Sequence, residues 1–125
     1  MTLPRAILVL AALLLGAVPA AAHHSAAVYD HTKQDVAEGT VKEFIYANPH
    51  ATLVVLLTRG GAEVEMRFEM DGPSNLMRYG VSRTTLVPGD KVVVTYHPRR
   101  DDPLVGGAMR IVKSDGTTFQ FQLPK

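Results

Sequence analysis

Apolar and polar residues alternate along several segments of the chain, a pattern with period two that is typical of half-buried β-strands. The clearest case is 62–70, where the even positions are apolar and the odd positions are charged. Segments rich in β-branched and aromatic residues predict further strands at 39–46, 51–58, 91–97, 104–112 and 117–123. The paired glycines Gly60 and Gly61 predict a hairpin between the second and third strands.

Helix signals occur once, between the third and fourth predicted strands. Pro73 suits a first helical turn and Gly80 suits the position just past a helix end, which predicts a short helix over 74–79. Three strands, one short helix and two or three more strands are typical of a small OB-like barrel. We therefore predict an all-β fold, a five- to six-stranded OB-like barrel with the helix between strands 3 and 4. A β-sandwich is the alternative architecture.

The N-terminal segment has the three regions of a secretory signal peptide. Arg5 supplies the positive charge, 6–18 is an uncharged apolar run, and small residues at 20–22 suit a cleavage site. The apolar run is shorter than the roughly 20 residues that a membrane-spanning helix needs. We predict a signal peptide at 1–22, an N-terminal arm at 23–35 and the barrel domain at 36–125, with a periplasmic or secreted location and no permanent membrane anchor.

Composition narrows the chemistry of the mature chain. The sequence contains no cysteine, which excludes thiolate metal sites and cysteine nucleophiles. Of its 13 Lys+Arg and 12 Asp+Glu only Arg5 lies in the predicted signal peptide, so the charges of the mature chain balance. A neutral surface argues against a nucleic-acid partner.

A series of short motifs follows in a characteristic order along the mature chain. They are His23-His24-Ser25, Gly39-Thr40-Val41, Asn48-Pro49-His50, the run from Gly72 to Gly80, Leu86-Val87-Pro88-Gly89-Asp90 and Asp115-Gly116. In this order and spacing they resemble DUF6152, a proteobacterial family of unknown function. The resemblance implies an exported protein of about this length, and it implies no activity.

The histidines carry the most suggestive chemistry. Imidazole is the commonest transition-metal ligand, and without thiolates it favours divalent copper, nickel or zinc, with copper first in affinity. If cleavage follows Ala22, the free amine and imidazole of His23 can chelate one ion. His50, in a turn constrained by Pro49, is then the candidate for the third nitrogen.

Cleavage one residue earlier gives a different copper geometry. His24 becomes the third residue, and the amine, two backbone amides and its imidazole form a square-planar site. Both outcomes predict copper, with His23, His24 and His50 as the candidate ligands. The expected role is handling or delivery of the ion, without catalytic turnover.

Other interpretations of the same residues stay open at this point. In one interpretation, His23 and His24 belong to a solvated arm and bind no metal. In another, His50 is a turn residue whose ring is hydrogen-bonded to the backbone. His31 and His97 are expected to be ordinary surface residues. The alternative function is a metal-free periplasmic interaction module that binds a peptide, glycan or protein partner on its barrel face.

Overall fold

The computed structural model describes residues 26–121, so the predicted signal peptide, His23 and His24 lie outside the described residues. A 3₁₀ turn at Ala26–Val28 precedes the strands. The regular elements are β1 Asp35–Ile45, β2 Thr52–Arg59, β3 Ala62–Glu69, α1 Pro73–Arg78, β4 Lys91–Pro98, β5 Val105–Lys113 and β6 Thr118–Gln120. The predicted strands and the short helix are confirmed, with β1 beginning four residues before the predicted start at Gly39.

The strands form one sheet in the order β3-β2-β1-β4-β5-β6. Neighbours in this order are antiparallel, and a parallel pairing of β3 with β5 closes the first five into a barrel, to which β6 adds on β5. β1 pairs with β4 along its first half and with β2 along its second, with a bulge between Val41 and Glu43. The OB-like barrel is confirmed, and the sandwich alternative is wrong because β1 and the β3–β5 closure join all strands into one sheet.

Alternation along the strands decides which side chains fill the barrel. Met66 and Phe68 of β3 point inward and are fully buried, while Glu65 and Arg67 lie on the outer face. The helix α1 contributes Leu76, which is fully buried, whereas Met77 is exposed. The hydroxyl of Tyr46 lies within hydrogen-bonding distance of the carbonyl oxygens of Pro73 and Val81, so it ties both ends of the helical segment to the end of β1. The helix therefore covers one end of the barrel.

A turn before β4 depends on the carboxylate of Asp90. Its Oδ2 accepts hydrogen bonds from the backbone N–H of Val87 and from the Lys113 ammonium, both at 3.1 Å. The Val87 hydrogen bond is the main cause that holds the pKa of Asp90 below its usual value, and Lys113 adds to it. A carboxyl group with a lowered folded-state pKa stabilises the fold above its unfolded-state pKa, and this stabilisation is lost as pH falls through the folded-state pKa.

We expect Asp90→Asn to lower the free energy of unfolding at pH 7 by about 1 kcal/mol, since a charged acceptor is replaced by a weaker one. The difference from the unchanged chain should shrink as pH falls through the lowered folded-state pKa of Asp90, because both chains are then neutral at this position. Urea unfolding over a series of pH values from neutral to acid checks this. Glu43→Gln, at an exposed position of β1, is the control, and an equal loss in that variant would contradict the prediction.

Candidate metal site at the end of the barrel

The ends of β3 and β4 place two polar side chains on the same outer face. Phe68 and Tyr96 point into the core, so the residues after them, Glu69 and His97, point outward. Gly107 of β5 is the register partner of both Glu69 and His97. Residues directly opposite each other across a sheet share a face. The side chains of Glu69 and His97 therefore lie on either side of Gly107, which has no side chain. Two strand spacings, about 10 Å, separate their Cα atoms.

The N-terminal arm docks beside these two residues. The backbone N–H of Asp30 donates to the Pro98 carbonyl at 2.8 Å, the Arg100 N–H donates to the Val28 carbonyl at 2.9 Å, and Tyr29 forms a β-bridge with Arg99. The Tyr29 side chain is buried. The arm therefore runs against the end of β4 and the loop that leads to β5.

Tyr29 connects this arm to the end of β3. Its hydroxyl donates a hydrogen bond to Glu69 Oε2 at 2.7 Å. Burial raises the pKa of Tyr29 above its ordinary value, and the hydrogen bond to Glu69 acts in the same direction. Tyr29 is therefore a neutral donor at any physiological pH, and one oxygen of Glu69 is committed to it.

The second oxygen of Glu69 faces His50, which lies in the loop between β1 and β2. His50 Nε2 is 3.8 Å from Glu69 Oε1, and its side chain is 31% exposed. Backbone hydrogen bonds tie the next residue, Ala51, to Met70 and Asp71 at the exit of β3. The arrangement gives His50 a defined position with its side chain partly open to solvent.

A close backbone contact supports the loop that carries His50. A Cβ built on Gly72 would lie 2.7 Å from the carbonyl oxygen of Pro49, a separation that real Cβ atoms do not adopt. Glycine at this position lets the segment after β3 approach the Asn48-Pro49-His50 turn. The chain bends at Asn48 and Pro49, and His50 follows this bend in the loop before β2.

The other nitrogen of His50 has no partner. Nδ1 is buried and makes no hydrogen bond, so the interpretation in which the ring bonds the backbone through this atom is not observed. A buried polar atom left unpaired costs about 1–3 kcal/mol. The 3.8 Å between Nε2 and Glu69 Oε1 is too long for a hydrogen bond, so Glu69 does not fix which nitrogen of a neutral His50 ring carries the proton. Nδ1 is shielded from solvent, so an ion reaches this atom only if the His50 ring turns or its loop shifts.

His97 and His31 form a second imidazole group beside the arm. His97 is only 7% exposed, and its Nδ1 lies 2.5 Å from the carbonyl oxygen of Lys33. The ring of His31 packs edge-on against it, with 5.0 Å between ring centroids and 65° between planes. The expectation that His97 is a surface residue is wrong, because the arm covers it. The same expectation is confirmed for His31, which is exposed.

Within 26–121, no group of three or more His, Cys, Asp and Glu side chains is placed to hold a metal ion. The described residues bring Glu69 to His50, whereas the predicted ligands His23 and His24 lie outside them. Sequence reasoning missed Tyr29 and did not link Glu69 to His50. The outward position of Glu69 was readable from the alternation in β3, but its neighbours across the barrel were not.

A groove of about 590 Å³ lies elsewhere on the molecule, across β1, β2, β4 and β5. Its lining includes the apolar side chains of Leu56, Val93 and Val112, together with charged Glu38 and Lys91. Neither Glu69 nor any of the three described histidines contributes to it. The groove and the histidine-bearing surface are therefore separate features.

Comparisons with known proteins give one match. The model of DUF6152, described as a family of unknown function, matches residues 11–108. No curated protein and no solved structure matches the chain. Among the described residues, none of the helices has the length and apolar character needed to cross a bilayer.

Proposed function

We propose that this chain, which belongs to the family of unknown function DUF6152, is an exported protein that binds one divalent copper ion at the end of its barrel. The ligands are the amine and imidazole of His23 together with the imidazole of His50. Where processing leaves His24 third in the chain, the amine, two backbone amides and the His24 imidazole bind the ion instead. The role is to hold or deliver the ion in the periplasm or outside the cell.

The observation that carries this proposal is the contact path from the arm to His50. Tyr29 and His50 approach opposite oxygens of the same Glu69 carboxylate. Five residues lie between His23 and Tyr29, and three of them form the 3₁₀ turn Ala26–Val28. Because a 3₁₀ turn rises only about 2.0 Å per residue, the segment spans at most about 16 Å. The proposal requires that this span bring the amine of His23 to the His50 ring.

The available donor atoms match the chemistry of copper. The three proposed ligands are nitrogens, and copper heads the affinity order of divalent ions for such sites. The amine has an ordinary pKa of about 8, so a competing metal displaces its proton readily. A carboxylate hydrogen-bonded to a ligating imidazole orients the ring and raises its basicity. We propose that Glu69, whose Oε1 lies 3.8 Å from His50 Nε2, closes to hydrogen-bonding distance when the ion binds.

The test is a Cu²⁺ titration of the mature chain that begins at His23, followed by calorimetry and by mass spectrometry of the intact protein. We expect one copper per chain, and we expect His50→Ala to weaken the affinity by more than about tenfold. Val93→Lys, in the separate groove, is the control and should leave the affinity unchanged. Binding no tighter than that of a free histidine peptide, or a His50→Ala chain that titrates like the unchanged one, would overturn the proposal.

The groove favours a second candidate function, a metal-free module that binds an extended peptide of a partner protein. Its apolar floor and its margins of both charge signs suit alternating side chains of such a segment. Val93→Lys should abolish this binding, while His23→Ala should leave it intact. Photo-cross-linking from the groove in cells that express either variant separates this function from copper binding.

A further inference from the structure

We propose that His31 and His97 form a second metal site, for a divalent transition-metal ion of the zinc or copper type, that is independent of His50. The two rings are the only pair of imidazoles in mutual contact within the described 26–121. The site would use one nitrogen of each ring, with water completing the coordination. It rests on a different set of contacts from the proposed copper site.

The hydrogen bond of His97 decides which of its nitrogens is available. A carbonyl oxygen can only accept, so the 2.5 Å contact with Lys33 places the proton on Nδ1. The neutral ring then keeps its lone pair on Nε2. A backbone carbonyl that fixes the tautomer and orientation of a histidine in this way is the usual outer partner of a metal-ligating imidazole.

The spacing of the two rings fits one shared ion. An imidazole nitrogen lies about 2.0–2.1 Å from zinc, which puts each ring centre about 3.2 Å from the ion. Two centres 5.0 Å apart then subtend an angle of about 100° at the ion. This angle lies between the square-planar and tetrahedral values, so the distance between the rings suits two ligands of one ion.

The different burial of the two histidines favours reversible binding of the ion over a permanent structural role. His97 is held by the barrel and covered by the arm, whereas His31 is exposed on the arm itself. One ligand is therefore fixed and the other is open to solvent. No third His, Cys, Asp or Glu in the described part of the chain joins them. Two protein ligands give a site that fills and empties more easily than a closed structural zinc site.

The experiment is a Zn²⁺ titration of the mature chain, observed through the side-chain ¹⁵N signals of its histidines and through calorimetry. We expect the Nε2 signal of His97 and a ring signal of His31 to shift along one common saturation curve. His31→Asn should weaken this binding step by more than about tenfold. Because His31 is exposed, this variant should keep its fold, which the thermal midpoint checks.

His50→Ala is the matched control, because it removes a histidine of the other site. It should leave the His31–His97 binding step unchanged. His50→Ala then removes only the proposed copper site and His31→Asn removes only this second site, so the two losses can be distinguished. A His97 Nε2 signal that does not move with Zn²⁺, or a His31→Asn chain that titrates like the unchanged one, overturns the inference.

Discussion

A chain that begins at Ala20 is expected to bind Cu²⁺ about 10²- to 10⁴-fold more weakly than a chain that begins at His23. Three added residues separate the free amine from the His23 imidazole, and the gain from joining two ligands on one residue is then lost. His23 becomes the fourth residue, so the backbone amides also cannot form the square-planar site. The measurement is a Cu²⁺ titration in competition with a chelator of known affinity.

A third chain, which begins at Ala22, makes this test sharper. It places His24 third, so we expect it to retain tight copper binding that no longer depends on His50. His50→Ala should therefore weaken binding in the chain that begins at His23 and have no effect in the chain that begins at Ala22. Equal affinities for all three starting points would show that the amine takes no part in the site.

The barrel was predictable because its signals are local. Alternation in β3 and the Pro73 and Gly80 boundaries of the helix depend on neighbours within a few residues. Three strands, a helix and further strands then leave few compact arrangements for a chain of this length. The parallel pairing of β3 with β5, which closes the barrel, has no local signal and followed only from the order of the elements.

The surface around Glu69 was not predictable in the same way. Tyr29 and Glu69 are 40 positions apart in sequence, and His97 and Lys33 are 64 apart. Their contacts exist because the arm docks along β4, and no pattern in the polar arm signals this docking. His97 looks like the exposed last residue of a strand until the arm is placed over it. Copper binding through His50 stays a prediction.

Replacement of Gly39 by alanine is expected to lower the free energy of unfolding by about 3 kcal/mol, the upper end of the usual cost of overpacking. Gly39 lies in β1 just before the bulge, where β1 passes from pairing with β4 to pairing with β2. A Cβ at this position would overlap the backbone oxygen of Leu56, and it would lie 2.8 Å from Val55 Cγ1 and 2.9 Å from Leu57 Cδ2. A backbone oxygen inside a ladder cannot move aside without breaking the pairing around it.

Gly61→Ala is the control for Gly39→Ala. It measures the general cost of replacing a glycine at a position where the added Cβ makes no close contact. Gly61 has a φ of +80°, and a Cβ there would meet nothing within 4 Å. Its replacement should cost only the backbone strain of about 1–2 kcal/mol. Urea unfolding of both variants gives the comparison, and a Gly39→Ala chain as stable as Gly61→Ala would contradict the argument. Since barrel closure also brings Glu69 opposite Gly107, loosening β1 at Gly39 should weaken copper binding together with the fold.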